Sequence, residues 1–252
     1  FEEAEKMLYE CYEGRKEVLG EKNKDTLDAQ WWLGANLYKE KKYEEAEKIF
    51  YECYEGRKET LGEKHVDTSR VQLWIGMTLY EEKKYEKAEK MLYECYEGRK
   101  KVLGEKHADT LKTQLWLGAN LYESKKYGEA EKMLYKCCEI EKEVLGEKQI
   151  DTLGTQRWLG MTLYEEKKYE EAEKMFYECY KGRKETLGEK HVETLSMQWW
   201  LSFALYEEKK YEEAEKMLQE CYEGRKEVLG EGHEDTLNAK WLLDLILKEK
   251  EK

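Results

Sequence analysis

The chain has 252 residues, 40% of them charged, and a formal net charge of −12. Basic residues never form a run of five or more, so no electrostatic footprint for nucleic acid is present. There is no apolar stretch of about 18 residues to enter a membrane and no signal-peptide opening; proline is absent and tyrosine occurs 20 times, a composition of long helices rather than of disorder.

The chain opens with Phe1 at the place that holds Tyr43, Tyr85, Tyr127, Tyr169 and Tyr211 later on. Ala4, Met7, Leu8, Cys11 and Tyr12 follow at a three-and-four spacing that predicts an amphipathic helix. Glu2 and Glu3 suit its first turn, Arg15 and Lys16 its far end, and Gly20 stops it. This B-type helix, residues 1–20, is about 28 Å long. After a polar loop, Asp25 or Thr26 is expected to cap an A-type helix running to about Glu40, and Lys41 and Lys42 mark a tight bend into the next B helix.

The same text then recurs. Asp-Thr or Glu-Thr stands at Asp25, Asp67, Asp109, Asp151, Glu193 and Asp235, 42 residues apart each time. The repetition predicts A–B pairs over residues 25–62, 67–104, 109–146, 151–188 and 193–230, and a closing A helix over 235–252. With the leading B helix this makes twelve helices in an all-α solenoid, one domain over residues 1–252, in which each repeat buries its apolar face against its neighbours.

Six of the seven cysteines occupy one repeat site: Cys11, Cys53, Cys95, Cys137, Cys179 and Cys221. Equivalent sites in a solenoid lie roughly two helix diameters of about 10 Å apart, whereas a disulfide needs Cα atoms within about 7 Å. A bridge between the adjacent Cys137 and Cys138 would be strained. Free thiols in a reducing, cytoplasmic setting are expected.

Leu33-Gly34, Tyr43, Ala46, Phe50 and the small Cys53 resemble the tetratricopeptide repeat (TPR) pattern, in which glycine and alanine let two helices approach while large residues plug between them. The ending Arg57-Lys58-Glu59-Thr60-Leu61-Gly62 and the loop Glu63-Lys64-His65-Val66-Asp67-Thr68 are similar, more particularly, to the 42-residue repeats of kinesin light chains and nephrocystin. The resemblance covers essentially the whole chain. It implies a right-handed superhelix of helix hairpins whose concave face holds a peptide. The family's proline after the loop histidine is replaced by Val66, Ala108, Ile150, Val192 and Glu234, and cysteine replaces the usual alanine of helix B. The paired asparagines that kinesin light chains use toward peptide are replaced by pairs such as Trp31-Trp32 and Trp199-Trp200.

On a helical wheel Leu33, Gly34 and Leu37 share the face that packs on helix B, while Trp31, Trp32, Ala35 and Tyr38 fall on the other side. A helix apolar on both sides is buried twice or carries a ligand face. The resemblance makes that second face the groove, and the residues expected to line it are Trp31, Trp32 and Tyr38, then Trp74, Met77 and Tyr80, then Trp116 and Tyr122. Further along come Arg157, Trp158, Met161 and Tyr164, then Trp199, Trp200, Phe203 and Tyr206. Two readings stay open for the constant row of Trp32, Trp74, Trp116, Trp158 and Trp200: wall of a groove, or wedge between neighbouring helices. Glu81, Glu123, Glu165 and Glu207 give the strip an acidic rim. Arg157 could anchor a carboxylate, lie on a tryptophan face, or pair with Glu165.

His65, His107, His191 and His233 are read as loop-packing residues, because metal ligands must converge on a point and these lie a repeat or more apart. No metal, cofactor or catalytic constellation is expected. Five B helices read Tyr-x-Gly, whereas the fourth reads Cys138-x-Ile140, a large and a small residue exchanged. The expected function is a non-enzymatic protein-interaction scaffold, with a partner that offers apolar anchors and some basic residues; the alternative is a self-assembling protein stacked head to tail through its half-repeat ends. Asp244, which replaces the close-packing glycine, and the charged tail Lys248 to Lys252 are expected to cap the far end, and the near end is expected to continue in a longer protein.

Overall fold

The structure of the protein, a computed structural model, describes residues 2–250. Among these residues there are twelve helices and no strand, in two compact units that divide at Lys125 and Lys126. The first unit holds α1 (Glu2–Leu19), α2 (Lys24–Lys39), α3 (Tyr43–Leu61), α4 (Val66–Glu81), α5 (Tyr85–Leu103) and α6 (Ala108–Glu123). The second holds α7 (Tyr127–Val144), α8 (Ile150–Glu165), α9 (Tyr169–Leu187), α10 (Val192–Glu207), α11 (Tyr211–Leu229) and α12 (Glu234–Lys250). Within each unit consecutive helices pack on one another, and A-type helices also touch the next of their kind, α2 with α4, α4 with α6 and α10 with α12. Phe1, Glu251 and Lys252, with the expectations attached to them, lie outside the described residues.

The loop between repeats is held by side chains, in a way that corrects the expected cap. The A helices start one residue before Asp25 and its equivalents, and the cap is the residue ahead of the helix: Asn23 Oδ1 accepts from the Asp25 amide at 2.9 Å, and His65 Nδ1 accepts from the Asp67 amide at 3.2 Å. His107, His191 and His233 do the same. The reason is backbone geometry. Asn23 is still extended, at φ −68° and ψ 141°, as a cap requires, whereas Asp25 is already helical. The threonine instead closes the loop: Thr68 Oγ1 donates to the carbonyl of Gly62 at 2.9 Å, as Thr110, Thr152 and Thr194 do to those of Gly104, Gly146 and Gly188.

The turn from A to B is tighter. Lys41, Lys83, Lys125, Lys167 and Lys209 all adopt the left-handed backbone near φ +60°, an arrangement that costs a non-glycine residue about 1 kcal/mol. Next to it Lys84 Nζ bridges Glu82 at 3.0 Å and Glu47 of the preceding B helix at 2.7 Å, tying one repeat to the one before; Lys168 and Lys210 repeat the tie.

The core sits between paired helices. A Cβ on Gly34 would stand 2.7 Å from the Phe50 ring, and one on Gly76 would stand 2.5 Å from Leu92, so the glycines set how closely A and B approach. Thiols of the recurring cysteine row donate to carbonyls of the A helix, Cys53 to Leu27 at 3.3 Å and Cys179 to Leu153 at 3.1 Å. Burial pushes the Cys53, Cys95 and Cys221 thiols up to about 11. All seven cysteines are free, and only Cys11 is exposed.

Four residues further along B, an arginine reaches the main-chain carbonyl at the start of the next A helix: Arg15 to Asp25 at 2.8 Å, Arg99 to Asp109 at 2.8 Å, Arg225 to Asp235 at 2.7 Å. In α7 the place belongs to Glu141, which is 1% exposed. Burial pushes its carboxyl up to about 7, and a hydrogen bond with Thr155 opposes the rise only in part.

Candidate functional site

Aromatic residues of the A helices pack on those of the next A helix within each unit. In the first, Trp74 presents its ring to Phe50 of α3 at 5.6 Å and meets Trp31 at 5.9 Å and Tyr38 at 5.2 Å edge to face. Tyr80 meets Trp116 edge to face at 5.5 Å. Offset and edge-to-face pairs at these distances are the favoured aromatic geometries. Trp74 and Trp116 are half-buried, while Trp32, ahead of which the described residues hold no A helix, is 57% exposed. The Trp74 ring therefore wedges against Phe50 of the preceding repeat and stays half-buried. Met77 is only 8% exposed and has little surface to offer a ligand.

In the second unit the strip becomes a ladder. Trp199 stacks on Phe203 at 5.3 Å, Phe203 on Tyr206 at 6.5 Å, and Tyr164 stacks on Phe203 at 5.1 Å from the neighbouring helix. Trp200 stacks on Phe176 of α9 at 5.6 Å, the counterpart of Trp74 on Phe50. Met161, Tyr164, Trp199, Trp200, Phe203 and Tyr206 are all half-buried. The Arg157 guanidinium lies 4.9 Å from the centre of the Trp158 ring, which favours the cation–π reading.

The acidic rim is built into the same surface. Tyr38 Oη donates to Glu81 at 3.3 Å and Tyr43 Oη to the other oxygen of that carboxylate at 3.4 Å; Tyr164 Oη donates to Glu207 at 3.1 Å. Burial first, and the neighbouring carboxylate second, raise the phenols of Tyr38 and Tyr164 well above the usual tyrosine range. Both phenols therefore stay protonated as donors at the edge of the strip. Tyr122 is half-buried at the end of α6.

No group of three or more His, Cys, Asp and Glu among the described residues is placed to hold a metal ion. No helix among them is long and apolar enough to cross a membrane.

Two profiles of the tetratricopeptide repeat match the sequence, one over residues 67–143 and the other over 33–67, 152–193 and 201–235. No curated protein matches it. Solved structures share the fold. The nearly identical TPR-like repeats assigned to a kinesin light chain of Podosopora anserina align over 81% of this chain and 96% of that one, with a TM-score of 0.71 at 18% identity. BtubC (BKLC) from P. vanneervenii aligns over 91% and 92%, with a TM-score of 0.76 at 14% identity. The apo form of the quorum sensor NprR from B. thuringiensis aligns over 98% of this chain and 65% of its own, with a TM-score of 0.70 at 16% identity. The chain belongs to the tetratricopeptide repeat family, and its repeats share the fold of kinesin light chain repeats.

Proposed function

We propose that the protein is a non-enzymatic scaffold that holds a peptide or partner segment on the aromatic strip of its A helices. The observation that carries this reading is the half-buried ladder of Trp199, Phe203, Tyr206 and Tyr164, an apolar wall that the fold leaves open on one side. Apolar anchors of the partner would lie on such a wall, as large side chains do at the centre of interfaces. Basic side chains would meet Glu81 and Glu207 at its edge. The buried thiols fit a reducing, cytoplasmic setting.

The experiment is a peptide library read by tryptophan emission, because all eight tryptophans lie on A helices along the strip. Peptides with aromatic or leucine anchors and flanking lysine or arginine are expected to shift the emission and to lose affinity with added salt. A peptide that bound without changing the emission would place the partner elsewhere. Self-assembly is a second reading because α1 leaves Met7 66% exposed and Cys11 exposed. Light scattering that stays monomeric over a concentration series would exclude it.

A further inference from the structure

In the first unit α4, α5 and the loop before α4 border a cavity of about 430 Å³, within the range of small-molecule sites. Its origin is a pair of small residues. Elsewhere a leucine of the A helix fills the space over the glycine of helix B: Leu27 over Gly56, Leu153 over Gly182 and Leu195 over Gly224, each 2.5 to 2.7 Å from where a Cβ would stand. In α4 the leucine is replaced by Ser69, and a Cβ on Gly98 would meet nothing within 4 Å. Val66, Ser69, Gln72, Gly98, Arg99 and Val102 are among the residues that line the space.

Two polar groups face this void without the partners their counterparts have. Arg99 is 3% exposed and uses Nε on Ser69 Oγ at 3.2 Å and Nη1 on the Asp109 carbonyl and Thr113 Oγ1, but no carboxylate among the described residues pairs with it. In the preceding repeat Arg57 Nη2 donates to Asp28 at 2.7 Å; the residue at the position of Asp28 is here Arg70, which turns to Asp67 at 3.0 Å instead. Gln72 is 4% exposed and its side chain makes no hydrogen bond among the described residues, whereas the side chains of Gln30, Gln156 and Gln198 donate to Glu52, Glu178 and Glu220. Arg225 also lacks a carboxylate, but Leu195 fills the space beside it and its guanidinium stands 5.9 Å from the Trp199 ring.

We propose that this cavity is a binding site for a small organic monocarboxylate. The carboxylate takes the place beside Arg99 that Asp28 takes beside Arg57, with the Gln72 amide as a second donor. The apolar body of the ligand fills the volume of the missing leucine between Val66 and Val102. A buried guanidinium with a free donor edge is suited to a planar carboxylate. Glu63, Glu94 and Glu97 line the same space together with Lys64 and Lys101, so the charges around Arg99 nearly balance and a single carboxylate suits it.

The test uses 3-phenylpropionate, benzoate and hexanoate, with 3-phenylpropanamide as the uncharged counterpart, titrated into the full chain by calorimetry and ligand-observed NMR. Two variants install what another repeat holds at the same place: Ser69→Leu fills the void, and Arg70→Asp supplies Arg99 with an internal carboxylate. Helicity by circular dichroism checks that both fold. Saturable one-to-one binding to the wild type is expected for at least one acid. The affinity should fall at least about tenfold for the amide and for each variant. No saturable binding of any of the acids, equal binding of the amide, or equal binding by Ser69→Leu would each overturn the proposal.

Discussion

Leu153 Cδ2 lies 2.5 Å from the point where a Cβ on Gly182 would stand, so the mid-helix glycine of α9 is room for a leucine of α8. Gly98, facing Ser69 instead of leucine, has no such neighbour. Glycine inside a helix costs about 1 kcal/mol relative to alanine. Gly98→Ala is therefore expected to stabilise the protein by about 1 kcal/mol, while Gly182→Ala, which overpacks, is expected to destabilise it by about 1 to 2 kcal/mol. Urea midpoints of the two variants decide it, and equal shifts would contradict the packing account.

Glu141 makes stability depend on pH. Its carboxyl is held near 7 in the folded chain against about 4.5 when exposed, so the folded state keeps a proton that the unfolded state releases. The contribution is fully present below about pH 4.5 and is lost as pH rises through 7, by an amount on the order of 3 kcal/mol. Glu141→Gln is expected to remove this loss. Denaturation of the two proteins from pH 4 to pH 9 should show curves that diverge as pH rises; parallel curves would refute it.

The loop histidines cap helices, so their replacement has a defined cost. His65→Ala removes the acceptor for the Asp67 amide and is expected to cost about 1 kcal/mol, whereas His65→Asn, the type of cap at Asn23, is expected to cost less than about half of that. Thermal midpoints of the two variants would separate capping from simple loop packing, which predicts that both fall together.

Trp32 and Trp74 occupy the same repeat position with different surroundings. Trp74→Ala leaves a hole against Phe50 and Tyr38 and is expected to cost about 3 kcal/mol. Trp32→Ala, at a site 57% exposed, is expected to change stability by less than about 1 kcal/mol. A large loss at Trp32, measured by chemical denaturation, would mean that the constant row is structural throughout.

Much of this architecture could be read from residues because the period writes each contact several times. Gly34 and Phe50 announce close packing on their own, and their recurrence as Gly160 and Phe176 removes ambiguity. The cap at His65 could not be read the same way, since Asp67 and Thr68 are better intrinsic caps and only the backbone geometry shows that the chain is already helical there. Nor was the cavity at Gly98 apparent: it depends on Ser69 and Gly98, 29 residues apart and each unremarkable alone. Glu141 was hidden for the same reason, as a glutamate in a glutamate-rich helix whose burial comes from the packing around it.

The cysteine row gives each repeat its own clock. A thiol that is buried, bonded to a carbonyl and reluctant to ionise reacts with an alkylating reagent only when its helix pair comes apart, so the labelling rates of Cys53, Cys95, Cys179 and Cys221 report the opening of four hairpins separately. Cys11, already at the surface, supplies the unprotected rate against which the others are measured. Mass spectrometry of a single labelling course would then resolve where along the chain unravelling begins, without a probe being added anywhere.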